Sequence, residues 1–138
     1  MVLDGGLPKW KSELLPVENG KKDPERNGSP PDTSFRLDTR VIKYLDEINR
    51  LEMPEYSDDS IIIDGRPIAA FNNGSINKKS VNLNPSDLFD LQRYATLKPI
   101  EARQLALATK INGENNIIFS CQRGIVAALL FCATHDLV

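Results

Sequence analysis

The sequence has little of the chemistry that metal sites and disulfide scaffolds need. Its 138 residues include two cysteines and one histidine, which is too few for a four-ligand zinc site. Cys121 follows an apolar run and Cys132 lies 11 positions later inside a helical pattern. Residues that far apart along one helix do not meet. We therefore expect neither a structural metal nor a disulfide.

An excess of charge and long apolar runs are also missing. The 17 basic and 19 acidic residues leave a net charge of -2, which argues against a dedicated nucleic-acid binder. No apolar stretch approaches the roughly 20 residues that span a bilayer. The N-terminus lacks a signal-peptide pattern, so we expect a cytoplasmic or mitochondrial-matrix location. The length suits one domain with a sizeable core.

The first half of the chain changes character twice. Residues 2–10 form a short apolar stub with a Gly-Gly pair, and residues 11–35, rich in proline and glycine, have the composition of a linker. Helical spacing over residues 36–53, with a cap at Asp38 or Thr39, predicts a helix. The β-branched run over residues 61–63 predicts a strand buried on both faces.

The second half alternates strands and helices. We predict a strand over residues 81–83, a short helix from Pro85 through Leu91 and a helix over residues 96–110. A second buried strand is predicted over residues 116–120, followed by an apolar helix from Gly124. This alternation is typical of an α/β fold around a parallel sheet.

Cys121 stands where a buried strand meets a helix. The first N–H groups of a helix are unpaired and carry the positive end of its dipole, so a thiolate above them is stabilised and its pKa falls. Gly124 allows the backbone to curl around the sulfur, and Arg123 adds a cation. This arrangement suits a nucleophilic cysteine that carries a transferable group.

Other interpretations of these residues compete. An alternative interpretation of Cys121 is a small, buried hydrophobic residue without a chemical role. Cys132 is expected to be a packed, inert thiol. His135 is expected at the surface, and no base for Cys121 is evident, so a cysteine protease is poorly supported. The phosphate-binding arginine of cysteine phosphatases would fall at Ala127, which argues against that chemistry.

Seven short stretches resemble, in order and spacing, the two-domain rhodanese and mercaptopyruvate sulfurtransferase family. They are VLDGGLPKW (2–10), LPVENG (15–20), Phe35 with Leu37 and Asp38, IIIDGR (61–66), SINKKSVNL (75–83), TLKP (96–99) and CQRGIVAA (121–128). The resemblance implies a rhodanese-like three-layer α/β fold with a parallel central sheet flanked by helices. It also implies a division of the chain into a remnant of a preceding domain (1–10), an interdomain linker (11–35) and the C-terminal, catalytic rhodanese domain (36–138).

The same resemblance implies a chemistry. Cys121 would take sulfane sulfur from thiosulfate or 3-mercaptopyruvate as a persulfide and pass it to cyanide or a thiol. The loop that binds the persulfide would comprise Gln122, Arg123, Gly124, Ile125 and Val126. The implied partners are a small sulfur donor and a thiol acceptor, such as a thioredoxin-like protein or a small thiol. No nucleic acid, membrane, metal or cofactor is implied.

The sequence departs from the family at charged positions. The family's second donor-binding arginine falls at Ala70, and its Gly-His-Ile becomes Gly74, Ser75 and Ile76. Arg66 is expected to be a structural pairing residue more than a substrate ligand.

Two lysines and one position of the cysteine loop also bear on the resemblance to the family. Lys78 and Lys79 either replace part of the missing charge or belong to a solvated loop, and Val126 replaces a family threonine or serine. Three hypotheses stay open: a sulfurtransferase, a degenerate rhodanese module that acts in interaction or regulation, and a truncated product without independent function.

The resemblance also implies that both ends are incomplete, with the family's last strand missing after Val138. This would leave the strand over residues 116–120 with an open edge. We predict that residues 2–4 fold back beside that strand and cover the edge.

Overall fold

A computed structural model describes residues 3–20, 41–53, 55–56, 59–112 and 116–137. These residues form short helices and strands in alternation. In chain order they are α1 (Gly6–Ser12), α2 (Leu45–Arg50), β1 (Ile61–Asp64), α3 (Ile68–Asn72), β2 (Ser80–Asn82), α4 (Pro85–Leu88), β3 (Phe89–Asp90), β4 (Thr96–Leu97), α5 (Ile100–Ala108), β5 (Ile117–Ser120) and α6 (Ile125–Thr134).

The main sheet is parallel, as the alternation predicts. Its strand order is β2-β1-β5, with β1 in the centre. Ile62 is paired with Ser80 on one side, and Ile61 with Ile117 on the other. Strands β3 and β4 form a separate antiparallel pair. The carboxyl ends of β1 and β5 therefore lie at the same edge of the sheet.

β1 is buried on both faces because successive side chains point in opposite directions. Ile62 packs with Ile48 and Leu51 on the α2 side. Ile63 packs on the other side in the larger core cluster. That cluster consists of Ile63, Leu83, Leu88, Phe89, Leu107, Leu130 and Ala133. Helices thus cover both faces of the sheet, and the predicted three-layer α/β architecture is confirmed.

The helix predicted over residues 36–53 is shorter in the structure. It begins at Leu45, where the Glu47 carboxylate accepts a hydrogen bond from the Tyr44 N–H at 2.9 Å. Residues 42–44 are not helical. The predicted caps Asp38 and Thr39 lie outside the described residues, and the cap used by the observed helix comes from within its own first turn.

Two further helix boundaries differ from the predictions because the β3–β4 pair takes residues from both helices. Phe89 pairs with Leu97, so the helix predicted through Leu91 ends at Leu88. The helix predicted from Thr96 begins at Ile100, directly after Pro99. Helix α3 was not predicted at all, because five residues are too few for a clear period.

The prediction that residues 2–4 cover β5 is wrong for the described residues. Leu3 and Asp4 form no strand, and the Asp4 carboxylate instead accepts a hydrogen bond from the Leu97 N–H at 2.9 Å. Val2 lies outside the described residues. Helix α1 follows and extends to Ser12, past the predicted start of the linker at residue 11.

Gly65 brings α6 close to the end of β1. A Cβ atom at this position would lie 2.7 Å from Leu130 Cδ1 and 2.7 Å from Val126 Cγ1, closer than such atoms approach. Only a residue without a side chain allows the helix to pack at this distance. The start of α6 is therefore held against the carboxyl edge of the sheet.

We expect Gly65→Ala to lower the free energy of unfolding by about 1–3 kcal/mol, because the added methyl overpacks the β1–α6 contact. Urea titration followed by circular dichroism measures this value. Gln104→Ala, an exposed position on α5, serves as the control and should change stability by less than about 0.5 kcal/mol. Equal effects of the two substitutions would contradict the close approach.

The other end of α6 is anchored by Arg103, a buried residue of α5. Its guanidinium donates to Asp136 Oδ1 at 2.9 Å and to Asp136 Oδ2 at 3.0 Å. It also donates to the backbone carbonyls of Ala133 and Lys98. One side chain therefore ties the C-terminal end of α6 to the start of α5.

Acid should weaken this anchor. The hydrogen bonds from Arg103 lower the pKa of Asp136 below its ordinary value. A carboxylate whose pKa is lower in the folded state stabilises the protein above its unfolded pKa, and this contribution is lost as the pH falls through the folded pKa. The stability difference between the parent protein and Asp136→Asn should be constant above about pH 5 and shrink below about pH 4. Urea unfolding across this range measures it, and a difference that grows in acid would contradict the assignment.

Candidate active site

Cys121 directly follows β5 and is half-buried. Its sulfur accepts hydrogen bonds from two backbone groups, the N–H of Gly124 at 3.1 Å and the N–H of Ala127 at 3.3 Å. The chain thus turns around the sulfur and returns under it as α6. This geometry does not fit the alternative interpretation of Cys121 as an inert, fully buried cysteine.

The turn depends on Gly124, which precedes the helix. Its φ of 81° lies in the left-handed region, where a side chain is strained. Helix α6 makes its first internal hydrogen bond from the Ala128 N–H to the Gly124 carbonyl. The N–H groups up to Ala127 have no acceptor inside the helix and are available to the sulfur.

These backbone groups determine the ionisation of Cys121. Its partial burial raises the pKa of the thiol, but hydrogen bonds from surrounding N–H groups outweigh this effect, and the pKa lies below its ordinary value. The groups that lower it belong to Ala127, Arg123, Gly124 and Val126. The loop is therefore built to stabilise a negatively charged sulfur.

The predicted loop and the observed one overlap. Arg123, Gly124 and Val126 contribute N–H groups, and the side chains of Gln122 and Arg123 are exposed. Ile125 is 74% exposed. The predicted loop did not include Ala127. Its position in the first turn of the predicted helix, where N–H groups have no partner inside the helix, was the signal that could have indicated this contact.

Arg66 lies at the end of the neighbouring strand, and its side chain is engaged in structural contacts. The guanidinium donates to the buried Asp64 carboxylate at 2.7–3.0 Å and to the Gly74 carbonyl at 2.8 Å. Asn82 supports the same turn by donating to the carbonyls of Asp64 and Arg66. This geometry agrees with a structural pairing residue.

A groove of about 710 Å³ opens beside Cys121. Its lining is almost wholly apolar, and Lys43 supplies the one charged side chain among the described lining residues. Lys78 and Lys79 are exposed on the loop before β2 and do not line this groove. The sulfur therefore faces backbone amides on one side and an apolar groove on the other.

Comparisons with known proteins identify the fold of the chain. Neither protein-family models nor curated protein sequences gave a match. The crystal structure of SseA from Escherichia coli, a 3-mercaptopyruvate sulfurtransferase with the rhodanese fold, superposes with a TM-score of 0.72 over 96% of this chain, at 24% sequence identity. The chain has the rhodanese fold. It spans about half of the SseA chain, 48% of its length.

The rhodanese-like fold expected from the sequence is thus confirmed at the level of architecture. At 24% sequence identity, the structural likeness to SseA establishes that the two proteins share a fold and nothing more. The roles of Cys121 and its neighbours rest on the geometry of the loop described above.

The expectation for Cys132 is wrong, because this thiol is exposed. Helix α6 of the rhodanese fold packs Leu130, Ala133 and Thr134 into the protein. Cys132 lies on another side of the helix, facing solvent. His135 is exposed, as expected, and its ring lies 5.6 Å from that of Phe131.

Within the ranges that the structure describes, no three His, Cys, Asp or Glu side chains are grouped so as to hold a metal ion. Of the helices in those ranges, none has the length and apolar character needed to cross a bilayer.

Gly124→Ala should raise the pKa of Cys121, because a left-handed alanine costs about 1–2 kcal/mol and displaces the N–H groups from the sulfur. The rate of iodoacetamide alkylation against pH measures the pKa, in a Cys132→Ser background with one thiol. In the parent loop this pKa should lie below the ordinary thiol value of about 8.5. Gly74→Ala is the matched control, because Gly74 also has a positive φ, 143°. An equal pKa in both variants would contradict this account.

Proposed function

We propose that this chain is a sulfurtransferase module in which Cys121 carries sulfane sulfur as a persulfide. The observation that carries the proposal is the convergence of the Gly124 and Ala127 N–H groups on Cys121 Sγ. A thiolate stabilised in this way is a nucleophile at neutral pH, and the same donors suit the terminal sulfur of a persulfide anion. The rhodanese fold supports this function.

The proposed reaction has two sulfur transfers. With thiosulfate as the donor, the Cys121 thiolate attacks the outer sulfur, a new S–S bond forms, the donor S–S bond breaks and sulfite leaves with the bonding electrons. Cyanide or a thiolate then attacks the outer sulfur of the persulfide. Thiocyanate or a new persulfide is released, and the Cys121 thiolate is regenerated. With 3-mercaptopyruvate, the C–S bond breaks and the pyruvate enolate leaves and takes up a proton.

Binding of an anionic donor should rest mainly on the backbone amides. Arg66 is committed to Asp64 and Gly74, and Ala70 supplies no charge. A charged hydrogen bond contributes roughly 1.5–3 kcal/mol, so each missing one costs one to two decades of affinity. The site is therefore proposed to bind small dianions weakly.

A second function follows from the same contacts. Ala70 and Ser75 occupy the positions at which the family resemblance places charged or polar donor contacts, and Ser75 Oγ donates to the Asn77 carbonyl. A rhodanese module with this site would take part in protein interaction or regulation without turnover. Persulfide formation separates the two functions.

Cyanolysis with thiosulfate and with 3-mercaptopyruvate tests the sulfurtransferase function. We expect thiocyanate formation by the parent protein to fall to background in Cys121→Ser, because the carrier atom is removed. Cys132→Ser, at an exposed position, should retain the activity. Mass spectrometry should show an addition of about 32 Da on Cys121 after incubation with a donor.

The two functions give different results in these assays. Persulfide formation with either donor supports the sulfurtransferase. No addition to Cys121 and equal rates for the parent protein and Cys121→Ser would contradict it and favour the interaction module.

A further inference from the structure

Asp64 is a buried carboxylate that the proposed reaction does not use. It is the last residue of β1, and it is only 1% exposed. A buried carboxylate costs free energy unless it is paired and hydrogen-bonded. Even when it is paired, apolar side chains of the same size are often equally stabilising. A contribution to stability alone therefore does not explain a carboxylate at this position.

The Asp64 carboxylate binds the chain two residues ahead. Its Oδ1 accepts a hydrogen bond from the Arg66 backbone N–H at 2.9 Å, and both oxygens accept from the Arg66 guanidinium at 2.7–3.0 Å. An aspartate that binds the N–H group two positions on closes a tight turn. We call residues 64–66 the β1 turn. Asn82 of β2 holds the same turn, because its Nδ2 donates to the carbonyls of Asp64 and Arg66, both at 2.8 Å.

Gly65, in the middle of the β1 turn, contacts the chain on both sides of Cys121. Its N–H donates to the Ser120 carbonyl at 2.9 Å. That carbonyl belongs to the planar peptide bond between Ser120 and Cys121, so the hydrogen bond fixes the orientation of the bond that enters Cys121. Gly65 also packs against Val126 without room for a Cβ atom, and the Val126 N–H is one of the groups that lower the pKa of Cys121. One residue therefore sets the separation between the strand end and the first turn of α6.

We propose that Asp64 and Asn82 are positioning residues for Cys121. The two side chains fix the β1 turn, and through Gly65 the turn holds the Ser120 carbonyl and the start of α6 on the two sides of the sulfur. Neither side chain acts on the substrate directly. This inference rests on the proposed function, in which Cys121 is the reacting group, but its geometric consequence is measured without any sulfur donor.

Two asparagines provide a matched pair of variants in which no charge changes. Asn82→Ala removes the support of the β1 turn. Asn77→Ala, before β2, removes a buried amide that donates to the Ile48 carbonyl at 2.9 Å and does not contact the turn. Both variants should lose stability, because each loses hydrogen bonds of an amide.

The pKa of Cys121 separates the two asparagine variants. It is measured from the rate of iodoacetamide alkylation against pH, in the Cys132→Ser background with one thiol. We expect Asn82→Ala to raise this pKa by about one unit, because a thiolate whose N–H donors are no longer aligned is less stabilised. Asn77→Ala should leave it at the parent value. A residue with only a structural role would change stability without changing this pKa.

Asp64→Ala separates positioning from a direct effect of charge. Removal of a carboxylate near a thiolate would by itself lower the pKa of Cys121, because a like charge disfavours the ionised form. Loss of the β1 turn should instead raise it, by about one unit. Asp64→Asn keeps an oxygen that can accept from the Arg66 N–H, so it should raise the pKa less. Melting temperatures show which variants are folded, and Asp64→Asn supplies the sign of the shift if Asp64→Ala does not fold.

Three results would overturn the proposal. A parent-like Cys121 pKa in folded Asn82→Ala would reduce the β1 turn to a structural feature. An equal rise in Asn77→Ala would show that lost stability alone moves the pKa. A lower pKa in either Asp64 variant would assign the effect to charge. The sulfurtransferase function fails separately, if the parent protein forms no persulfide although Asn82→Ala raises the pKa of Cys121 and Asn77→Ala does not.

Discussion

The amide hydrogens at the start of α6 converge on one sulfur atom, and the structure of the site depends on this interaction. Two glycines make it possible in different ways. Gly124 adopts the left-handed turn that brings the N–H groups of Gly124 and Ala127 under Cys121 Sγ. Gly65 lets Val126 and Leu130 approach β1, which holds the helix where its first turn meets the strand end. The thiol pKa is lowered by the backbone, and no charged side chain is needed for it.

The electrostatics of the site are unevenly distributed. Arg66 lies at the same edge of the sheet, but its guanidinium is bound to Asp64 and Gly74. The groove that reaches Cys121 is apolar. The electrostatic stabilisation of the Cys121 sulfur is therefore supplied by backbone amides, which any strand–loop–helix junction of this shape can provide.

Strong local patterns were predicted correctly, and boundaries set by distant contacts were not. The run over residues 61–63 identifies a strand buried on both faces because it is short and β-branched and is followed by Asp64 and Gly65. The start of α5 was predicted too early, because Leu97 pairs with Phe89 in β4 and because the residue before Pro99 is disfavoured from the helical conformation. Asp4 likewise satisfies the N–H of Leu97, which is 93 positions away in the chain. Cys132 was placed inside because α6 is apolar on several sides, and only its packing shows which side faces the solvent.

The sequence by itself determined that strands and helices alternate, that the main sheet is parallel and that Cys121 stands at a strand end before a helix. These features follow from local periodicity and from glycine placement, which act over a few residues. Tertiary structure alone decided that Gly65 lies against Val126 and Leu130 of α6, that Arg103 binds Asp136, and that an apolar groove lies along β5 between the α2 side and α6. Each of these depends on the distance between elements that are far apart in the chain, and such distances are set by packing.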